Sequence, residues 1–378
     1  MKIIGFELDW VVVPAKPDTV NSPEVNHALH MLPYGGKPGW SLQFDAIPKA
    51  IVQLHADDGT VGVGECNRGL PVDTLKQVAQ NLLGGDIVSL NAQDLPLPPG
   101  RLYDGFECAI LDALAKRRAM RLCELLGGPY RERVRVGFWT GHRTTADAGR
   151  KAKEGKALGY DCIKFKCAST DPVVEWARAV REQCGAEFQI IFDPNQRFEN
   201  LATAERIAHG LEEVGNVLCL EDPLPKWDIK EWRLLRQKIT IPLCAHVALP
   251  YPELDSFAWD VIRSLEAGAN DYFNFNGGIW PVRKLMAVAD LAGKPYWHGS
   301  EVDLGILEAA CLHKCAAGSL ATLPSDIFGR LVREHDLLTR PLEIQNGYAT
   351  VPNGPGLGVE LDPDALGHYR TDHWECHL

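Results

Sequence analysis

The chain has 378 residues, of which 46% are hydrophobic and 24% are charged, as in ordinary globular proteins. This length exceeds a typical single domain, so two structural units, or one barrel with additions, are expected. The formal net charge of −11 argues against nucleic acid or an anionic membrane as a partner. No apolar run is long enough to span a bilayer.

The eleven cysteines are scattered along the chain, form no Cys-x-x-Cys pair and are odd in number. The first residues contain no long apolar stretch of the kind that directs secretion. We therefore expect reduced thiols in a cytoplasmic protein.

The first 65 residues have the pattern of antiparallel β-structure. Ile3–Val13 is rich in β-branched residues. Ala50–His55 and Thr60–Glu65 are separated by Asp57-Asp58-Gly59, a strong hairpin signal. Residues 74–127 then have a helical pattern.

From about residue 134, short apolar runs beginning with Val134–Trp139 alternate with amphipathic helical stretches, seven or eight times. This order predicts a parallel sheet closed into a barrel. No glycine-rich dinucleotide fingerprint follows the early strands, which disfavours an open Rossmann sheet. After residue 340 the chain returns to a β-like, Pro- and Gly-rich pattern at Leu342–Val351, which we expect to pack on the N-terminal unit.

Polar residues stand at the carboxyl ends of successive predicted strands, where barrel enzymes place their catalytic groups. Asp193, Glu221 and His246 end three neighbouring strands, about one strand–helix–strand repeat apart. Carboxylate oxygens are suitable ligands for Mg²⁺. The sequence therefore predicts a divalent-metal site formed by these three residues.

Lys164 and Lys166 are two positions apart on one predicted strand, so their side chains face the same side of the sheet. Ile163 and Phe165 are large and apolar, as expected for positions that face the helices. If the lysines face the interior, a second ammonium and a metal would favour the neutral, basic form of Lys166.

Three motifs resemble, in order and spacing, those of the enolase superfamily, in its mandelate racemase and muconate lactonizing branch. They are Lys164-Phe165-Lys166, Asp193-Pro194-Asn195 and Glu221-Asp222-Pro223. The resemblance extends to the hairpin at 57–65, the Leu125–Gly128 junction and the Pro352–Gly358 segment, and so covers nearly the whole chain.

The resemblance implies an α/β fold, a modified TIM barrel of the (β/α)₇β type with an α+β capping domain. The capping domain would comprise residues 1–130, the barrel residues 131–335, and residues 336–378 would return to the capping domain. By the same resemblance we expect a homo-oligomer.

The resemblance also implies Mg²⁺ bound by the strand-end acids and by a substrate carboxylate. Lys166 would remove the α-proton, and Lys164 would tune Lys166 and contact the carboxylate. The stretch Pro17–Gly39 would close over the substrate. The candidate substrate-binding residues are His27, Tyr34, Asn195, Asn274, Asn276 and Glu301.

The sequence departs from the family pattern at three positions. The third metal ligand is usually a carboxylate, whereas His246 stands here, and imidazole favours Mn²⁺ or another divalent ion over Mg²⁺. No lysine faces Lys166 from the sixth strand, which disfavours racemization by two lysines. His298 matches the histidine of mandelate racemase relatives, with Asp271 as its acidic partner or with Asn276 in the place of that acid.

The leading hypothesis is a lyase that dehydrates a sugar acid or related hydroxycarboxylate, with Lys166 as base and His298 as acid. An isomerase, either a racemase/epimerase or a cycloisomerase, is the alternative. A barrel that binds a metal or ligand without catalysis is the second alternative.

Overall fold

The computed structural model describes residues 1–25, 48–66, 72–97, 103–247 and 257–378, with side chains from residue 260 in the last range. The predicted substrate contacts His27 and Tyr34 lie outside the described residues. In the part of the chain that is described, no helix is both long and apolar enough to cross a membrane.

An antiparallel sheet of four strands is built from both ends of the chain. Its strands are β1 (Ile3–Val12), β2 (Pro48–Ala56), β3 (Val61–Glu65) and β14 (Arg370–His377), in the order β14-β1-β2-β3. The predicted hairpin is confirmed, with Asp57-Asp58-Gly59 between β2 and β3 and Gly59 at φ +83°.

The helical pattern predicted for residues 74–127 is confirmed in part, because the described residues of this range form three separate helices. The structure has α1 (Val72–Leu82), α2 (Asp104–Arg117) and the single turn α3 (Leu122–Leu125). Helix α1 ends before Gly84, whose φ of +77° is incompatible with a continuing helix. Pro96, in the described part of the chain after α1, is also incompatible with a helix interior.

A parallel sheet of seven strands follows, in which neighbouring strands are consecutive in the chain. Helices connect the strands, as the alternating pattern predicts. The strands are β5 (Phe138–Thr140), β6 (Cys162–Lys166), β7 (Gln189–Asp193), β8 (Val217–Glu221), β9 (Leu243–Val247), β10 (Tyr272–Phe275) and β11 (Tyr296–His298). The helices are α4 (Thr145–Ala157), α5 (Val173–Cys184), α6 (Leu201–Val214), α7 (Ile229–Lys238), α8 (Phe257–Ala267), α9 (Ile279–Leu291) and α10 (Gly305–Ala317).

A short segment links the two edges of this parallel sheet. The N–H of Asp326 donates to His298 O at 2.8 Å on β11, and the N–H of Gly137 donates to Ser325 O at 3.1 Å just before β5. A parallel bridge pairs Ser325 with Val136. The sheet is therefore curled, and its carboxyl-end residues converge on one interior.

The run Val134–Trp139, predicted as one strand, is two strands in different sheets. Strand β4 (Arg133–Arg135) pairs with β13 (Tyr348–Thr350), which also forms a hairpin with β12 (Ile344–Gln345). Leu342–Val351 therefore packs beside the start of the parallel sheet, contrary to the expectation that it joins the N-terminal unit. The segment that does join that unit is β14, which follows the short helices α11 (Gly329–Val332) and α12 (Pro363–Tyr369).

Candidate active site

Alternation along β6 directs both lysines into the interior of the curled sheet. Lys164 and Lys166 are 2% and 8% exposed, and each contacts Asp193 on the neighbouring strand. The intervening Phe165 points the other way, with its ring centroid 5.6 Å from that of Trp176 on α5. The structure therefore places the lysine pair as its spacing predicts.

Lys164 lies among three buried carboxylates. Its Nζ is 2.6 Å from Glu221 Oε2, 2.8 Å from Asp326 Oδ2 and 3.2 Å from Asp193 Oδ2. Burial alone would lower the pKa of this lysine, but Asp326, Glu221 and Asp193 outweigh it and raise the pKa well above its usual value. Lys164 is therefore a fixed positive charge and not a base.

Lys166 lies closer to the opening of the interior and donates to Asp193 Oδ2. Burial raises the pKa of Asp193, but the ammonium groups of Lys166 and Lys164 more than offset burial and hold it well below its ordinary range. The N–H of Asn195 donates to Asp193 Oδ1 at 3.1 Å. Asn195 adopts φ +46°, a left-handed conformation that asparagine tolerates well, and its buried Oδ1 has no hydrogen-bond donor among the described residues.

Glu221 is fully buried at the end of β8. Burial, and next the nearby Asp193 carboxylate, raise the pKa of Glu221 to about 8. Its Oε1 accepts a hydrogen bond of 2.8 Å from Asn274 Nδ2 on β10. Lys164 is one cation beside Glu221, and a second cation there would further stabilise the ionised carboxylate.

His246 lies on β9, the strand between β8 with Glu221 and β10 with Asn274. It is 7% exposed, and its Nδ1 is 3.3 Å from Glu221 Oε1. Burial, followed by the charges of Lys226 and Lys164, lowers the pKa of His246 well below its usual value, so the imidazole is neutral. Although Nδ1 lies near Glu221 Oε1, neither of the two buried ring nitrogens forms a hydrogen bond with a described residue. A neutral imidazole with unused nitrogens is the form that binds metal ions.

The predicted metal ligands Asp193, Glu221 and His246 are thus brought together. Two carboxylates and one imidazole form a donor set that suits a divalent cation. The unused nitrogens of His246 and the raised pKa of Glu221 are both features that a bound cation would relieve. The residues present therefore fit the metal that the resemblance implies.

The remaining predicted substrate groups also lie at the strand ends. Asn276 Nδ2 donates to Glu301 Oε1 at 3.3 Å, and both side chains are 4% exposed. Asn274 packs against Gly299, where a Cβ would lie 2.6 Å from Asn274 Oδ1. The structure therefore collects Asn274, Asn276 and Glu301 on the side of the site formed by β10 and the chain after β11.

His298 is not placed among these interior groups. Its neighbour Trp297 packs inside with Cys162, Ile191 and other interior residues, so His298 faces the opposite side of β11. Its Nδ1 is 2.5 Å from Gly299 O and its Nε2 is 3.6 Å from Cys311 Sγ on α10. The structure does not bring His298 to the position facing Lys166 that the sequence suggested.

Asp271 is likewise not the partner of His298. It precedes β10, at the amino end of the strand, and its carboxylate is 2.6 Å from Arg236 Nη2. The spacing of Asp271 and His298 matched one repeat, but the two residues lie at opposite ends of their strands. Repeat spacing alone does not specify which end of a strand a residue occupies.

Two further residues of the site were given no role in the sequence analysis, although Asp222 is part of a motif quoted there. Asp326 contacts Lys164 at 2.8 Å, and Asp222 accepts a 2.9 Å hydrogen bond from the backbone N–H of His246. Burial raises the pKa of Asp222 to about 6. Asp326 follows a segment too short to show an apolar run, and the only signal was its place one helix after β11.

The chain is similar to known proteins in both sequence and structure. Residues 147–365, more than half of the chain, match the family model described as enolase C-terminal domain-like. Muconate cycloisomerase 1 of Rhodococcus opacus is 26% identical over 267 residues, 69% of each chain. D-xylonate dehydratase of Haloferax volcanii is 28% identical over 382 residues, 86% of each chain.

The structure of N-succinyl Arg/Lys racemase from Bacillus cereus ATCC 14579 superimposes with a TM-score of 0.84. It covers 100% of both chains at 22% sequence identity, so it supports the enolase-type fold. Together with the interior lysine pair and the strand-end acids, the family match identifies the chain. It belongs to the enolase superfamily, in the mandelate racemase and muconate lactonizing branch.

Proposed function

We propose that this protein removes the proton α to a carboxylate in a metal-dependent reaction and dehydrates a sugar acid or related hydroxycarboxylate. The observation that carries the proposal is the pair Lys164 and Lys166, both directed into the interior beside Asp193 and Glu221. We further propose the (β/α)₇β barrel of residues 131–335, capped by residues 1–130 and 336–378.

Asp193, Glu221 and His246 would hold the divalent cation. When bound, such a cation supplies Lewis-acid stabilisation of the negative charge that develops on the substrate carboxylate. Because one of the three ligands is an imidazole, we propose that Mn²⁺ binds more tightly than Mg²⁺. Neutral His246 also leaves the ligand set one negative charge short of three carboxylates.

Lys166 acts as the base in this proposal. Its neutral amine takes the α-proton, and the electron pair of the C–H bond enters the enediolate of the substrate. Lys164, held positive by its three carboxylate neighbours, stabilises that charge by a direct electrostatic contact. A carbon acid next to a carboxylate is so weak that both contributions are needed.

Dehydration follows if the enediolate expels a β-hydroxyl group. The ammonium of Lys166 then lies on the face from which it took the proton, and it returns that proton to the departing hydroxyl, which leaves as water. The enol product becomes a 2-keto acid. His298 is not needed in this scheme, which agrees with its position behind β11.

The side of the site formed by β10 carries amide and carboxylate groups. Asn274, Asn276 and Glu301 offer hydrogen bonds to hydroxyl groups of a polyol, and Asn195 adds an unused carbonyl oxygen. The likeness to D-xylonate dehydratase supports a sugar acid, whereas the likeness to a muconate cycloisomerase supports cycloisomerization as the second candidate.

The experiment is an assay of 2-keto acid formation across a panel of acid sugars with Mg²⁺ or Mn²⁺ present. We expect one stereochemical group of sugar acids to lose water. Deuterium uptake at the α-carbon of recovered substrate in D₂O, without loss of water, would replace the dehydratase by an epimerase. Conversion of a muconate to a lactone would favour the cycloisomerase.

The ligand role of His246 has its own test. Isothermal titration of Mn²⁺ and Mg²⁺ into wild type and His246→Asp is expected to show a preference for Mn²⁺ that the substitution reduces. His209→Asp, at an exposed histidine of α6, is the control. Equal metal affinities in wild type and His246→Asp would contradict the ligand role.

A further inference from the structure

A second group of metal-ligating side chains lies on the antiparallel sheet, outside the candidate active site. Glu7 and Asp9 are two positions apart on β1 and share one face of the sheet. His373 on β14 is directly opposite Asp9 in the register of the two strands. One ligand atom from each of the three residues lies within 4.8 Å of the others.

Asp9 is the buried member of this group. It is 0% exposed, and its Oδ1 lies 2.7 Å from His373 Nδ1 and 2.7 Å from Arg370 Nε. Its Oδ2 is buried and has no hydrogen-bond donor among the described residues. An unpaired buried carboxylate oxygen is unfavourable, and a cation bound to it would remove that cost.

The register of β1 and β14 adds a second unfavourable feature. Glu7 pairs directly with Glu375, which places two carboxylates opposite each other on neighbouring strands. Glu7 Oε1 is 2.9 Å from His55 Nε2, and Glu375 Oε2 is 3.6 Å from His377 Nε2. Carboxylates and imidazoles are therefore concentrated on this face, where a divalent cation would offset the repulsion.

We propose that Glu7, Asp9 and His373 bind a divalent transition-metal ion of the zinc class and thereby fasten β14 to β1. Zn²⁺ is bound in proteins by His nitrogen and by Asp or Glu oxygen, and a site with three protein ligands keeps a position open for water. Ligand atoms around a tetrahedral ion are about 3.3 Å apart, given metal–ligand distances near 2 Å. Small rotations of Glu7 and His373, which are 30% and 34% exposed, supply that contraction.

Arg370 is the group that a bound metal ion would displace from Asp9. Its side chain is 36% exposed, so the guanidinium can turn into solvent while the metal takes its place on Asp9. The proposed site lies on strands that carry none of the candidate catalytic residues. The proposal is therefore independent of the proposed function.

The test is isothermal titration of Zn²⁺ into the metal-stripped chain of 378 residues. Wild type is expected to bind one equivalent more than His373→Gln. Glu7→Gln, at a partly exposed residue whose loss should not impair folding, is expected to weaken that equivalent at least about tenfold. His368→Gln, at an exposed histidine of α12, is the control and should match wild type.

Comparing variants removes the contribution of the candidate active site, which all of them share. Zn²⁺ should also raise the thermal midpoint of wild type more than that of His373→Gln, since the ion bridges two strands of the folded state only. Equal stoichiometry and affinity in wild type and His373→Gln would overturn the proposal. Equal weakening in His368→Gln would do the same, because it would show nonspecific binding to histidines.

Discussion

At the scale of single residues, the two lysines of β6 have different surroundings although they share one strand face. Lys164 is almost fully buried among Glu221, Asp326 and Asp193, and its pKa is raised well above the usual range. Lys166 lies one step nearer the strand end and contacts Asp193 alone among these three carboxylates. The structure thus distinguishes a lysine fixed among three carboxylates from one that contacts a single carboxylate of that group.

The position of His298 leads to a prediction about the catalytic acid. Burial raises the pKa of the Cys311 thiol, which stays protonated and can donate to His298 Nε2 on the helix side of β11. We expect His298→Asn to keep α-proton exchange within about tenfold of wild type and to lose about 1–2 kcal/mol of stability. Exchange is measured by NMR in D₂O and stability by urea denaturation.

One result would contradict the placement of His298 outside the catalytic machinery. A loss of exchange of about a thousandfold or more in His298→Asn, the size expected for removal of a catalytic acid, would restore the histidine as a catalytic group. Cys311→Ala is the matched variant, because it alters the same buried contact without touching the imidazole.

At the scale of elements, the contact between β3 and α2 depends on two glycines. A Cβ on Gly64 would lie 1.9 Å from Gly105 O, and one on Gly62 would lie 2.1 Å from Ala109 O. The helix backbone therefore rests directly on the strand, and Phe6 on β1 packs edge-on against Phe106 of the same helix. This packing covers one face of the antiparallel sheet.

We predict that Gly64→Ala lowers the free energy of unfolding by about 2–3 kcal/mol, because a backbone oxygen cannot move aside for the new methyl group. The control is Gly367→Ala on α12, where a Cβ meets nothing within 4 Å. That change is expected to be neutral or stabilising by up to about 1 kcal/mol, since alanine favours helix. Urea denaturation of both variants decides; equal stability of Gly64→Ala and wild type would refute the close contact.

At the scale of the whole molecule, His313 on α10 joins three separate segments. Its Nδ1 accepts from the N–H of Cys123 at 3.2 Å, and its Nε2 donates to Leu357 O at 3.0 Å. In these two hydrogen bonds a neutral imidazole uses both its acceptor nitrogen and its N–H donor. Burial is the main cause that lowers the pKa of His313 to about 4.

This gives a pH dependence of stability with a definite sign. Between pH 6.5 and about 4 the unfolded chain takes up a proton on His313 that the folded chain excludes, so stability falls as the pH falls. The contribution is about 3 kcal/mol at roughly 1.4 kcal/mol per pKa unit. His313→Gln, which can retain both hydrogen bonds, should flatten the urea-denaturation profile over this range.

The exposed His368→Gln is the control and should keep the wild-type profile. An unchanged pH slope in His313→Gln would show that other groups dominate acid destabilisation.

The sequence predicted much of this architecture because strand–helix alternation and hydrophobic spacing are local signals. The lysine pair and the acids of β7 and β8 were found since both the alternation along a strand and the repeat length are readable. Asp326 and β14 were not found. Asp326 follows a segment without an apolar run, and β14 is mostly exposed, so neither has the burial pattern that marks a strand.

The error at His298 has a different cause. Side chains alternate along β11, so a shift of one residue decides whether a given side chain faces the interior or the helices. In this structure Trp297 faces the interior beside Ile191, so His298 faces the helices. A three-residue strand is too short for its alternation to show which residue faces inward.

Lys166 is the proposed base, and deuterium incorporation in D₂O is the decisive measurement of that role. Wild type, Lys166→Ala and the exposed control Lys153→Ala are compared by NMR at the α-carbon of recovered substrate and at carbon 3 of the 2-keto product. We predict incorporation by wild type and Lys153→Ala, and a loss of about a thousandfold or more in Lys166→Ala with metal content unchanged. Incorporation by Lys166→Ala at the wild-type rate would show that another group removes the α-proton.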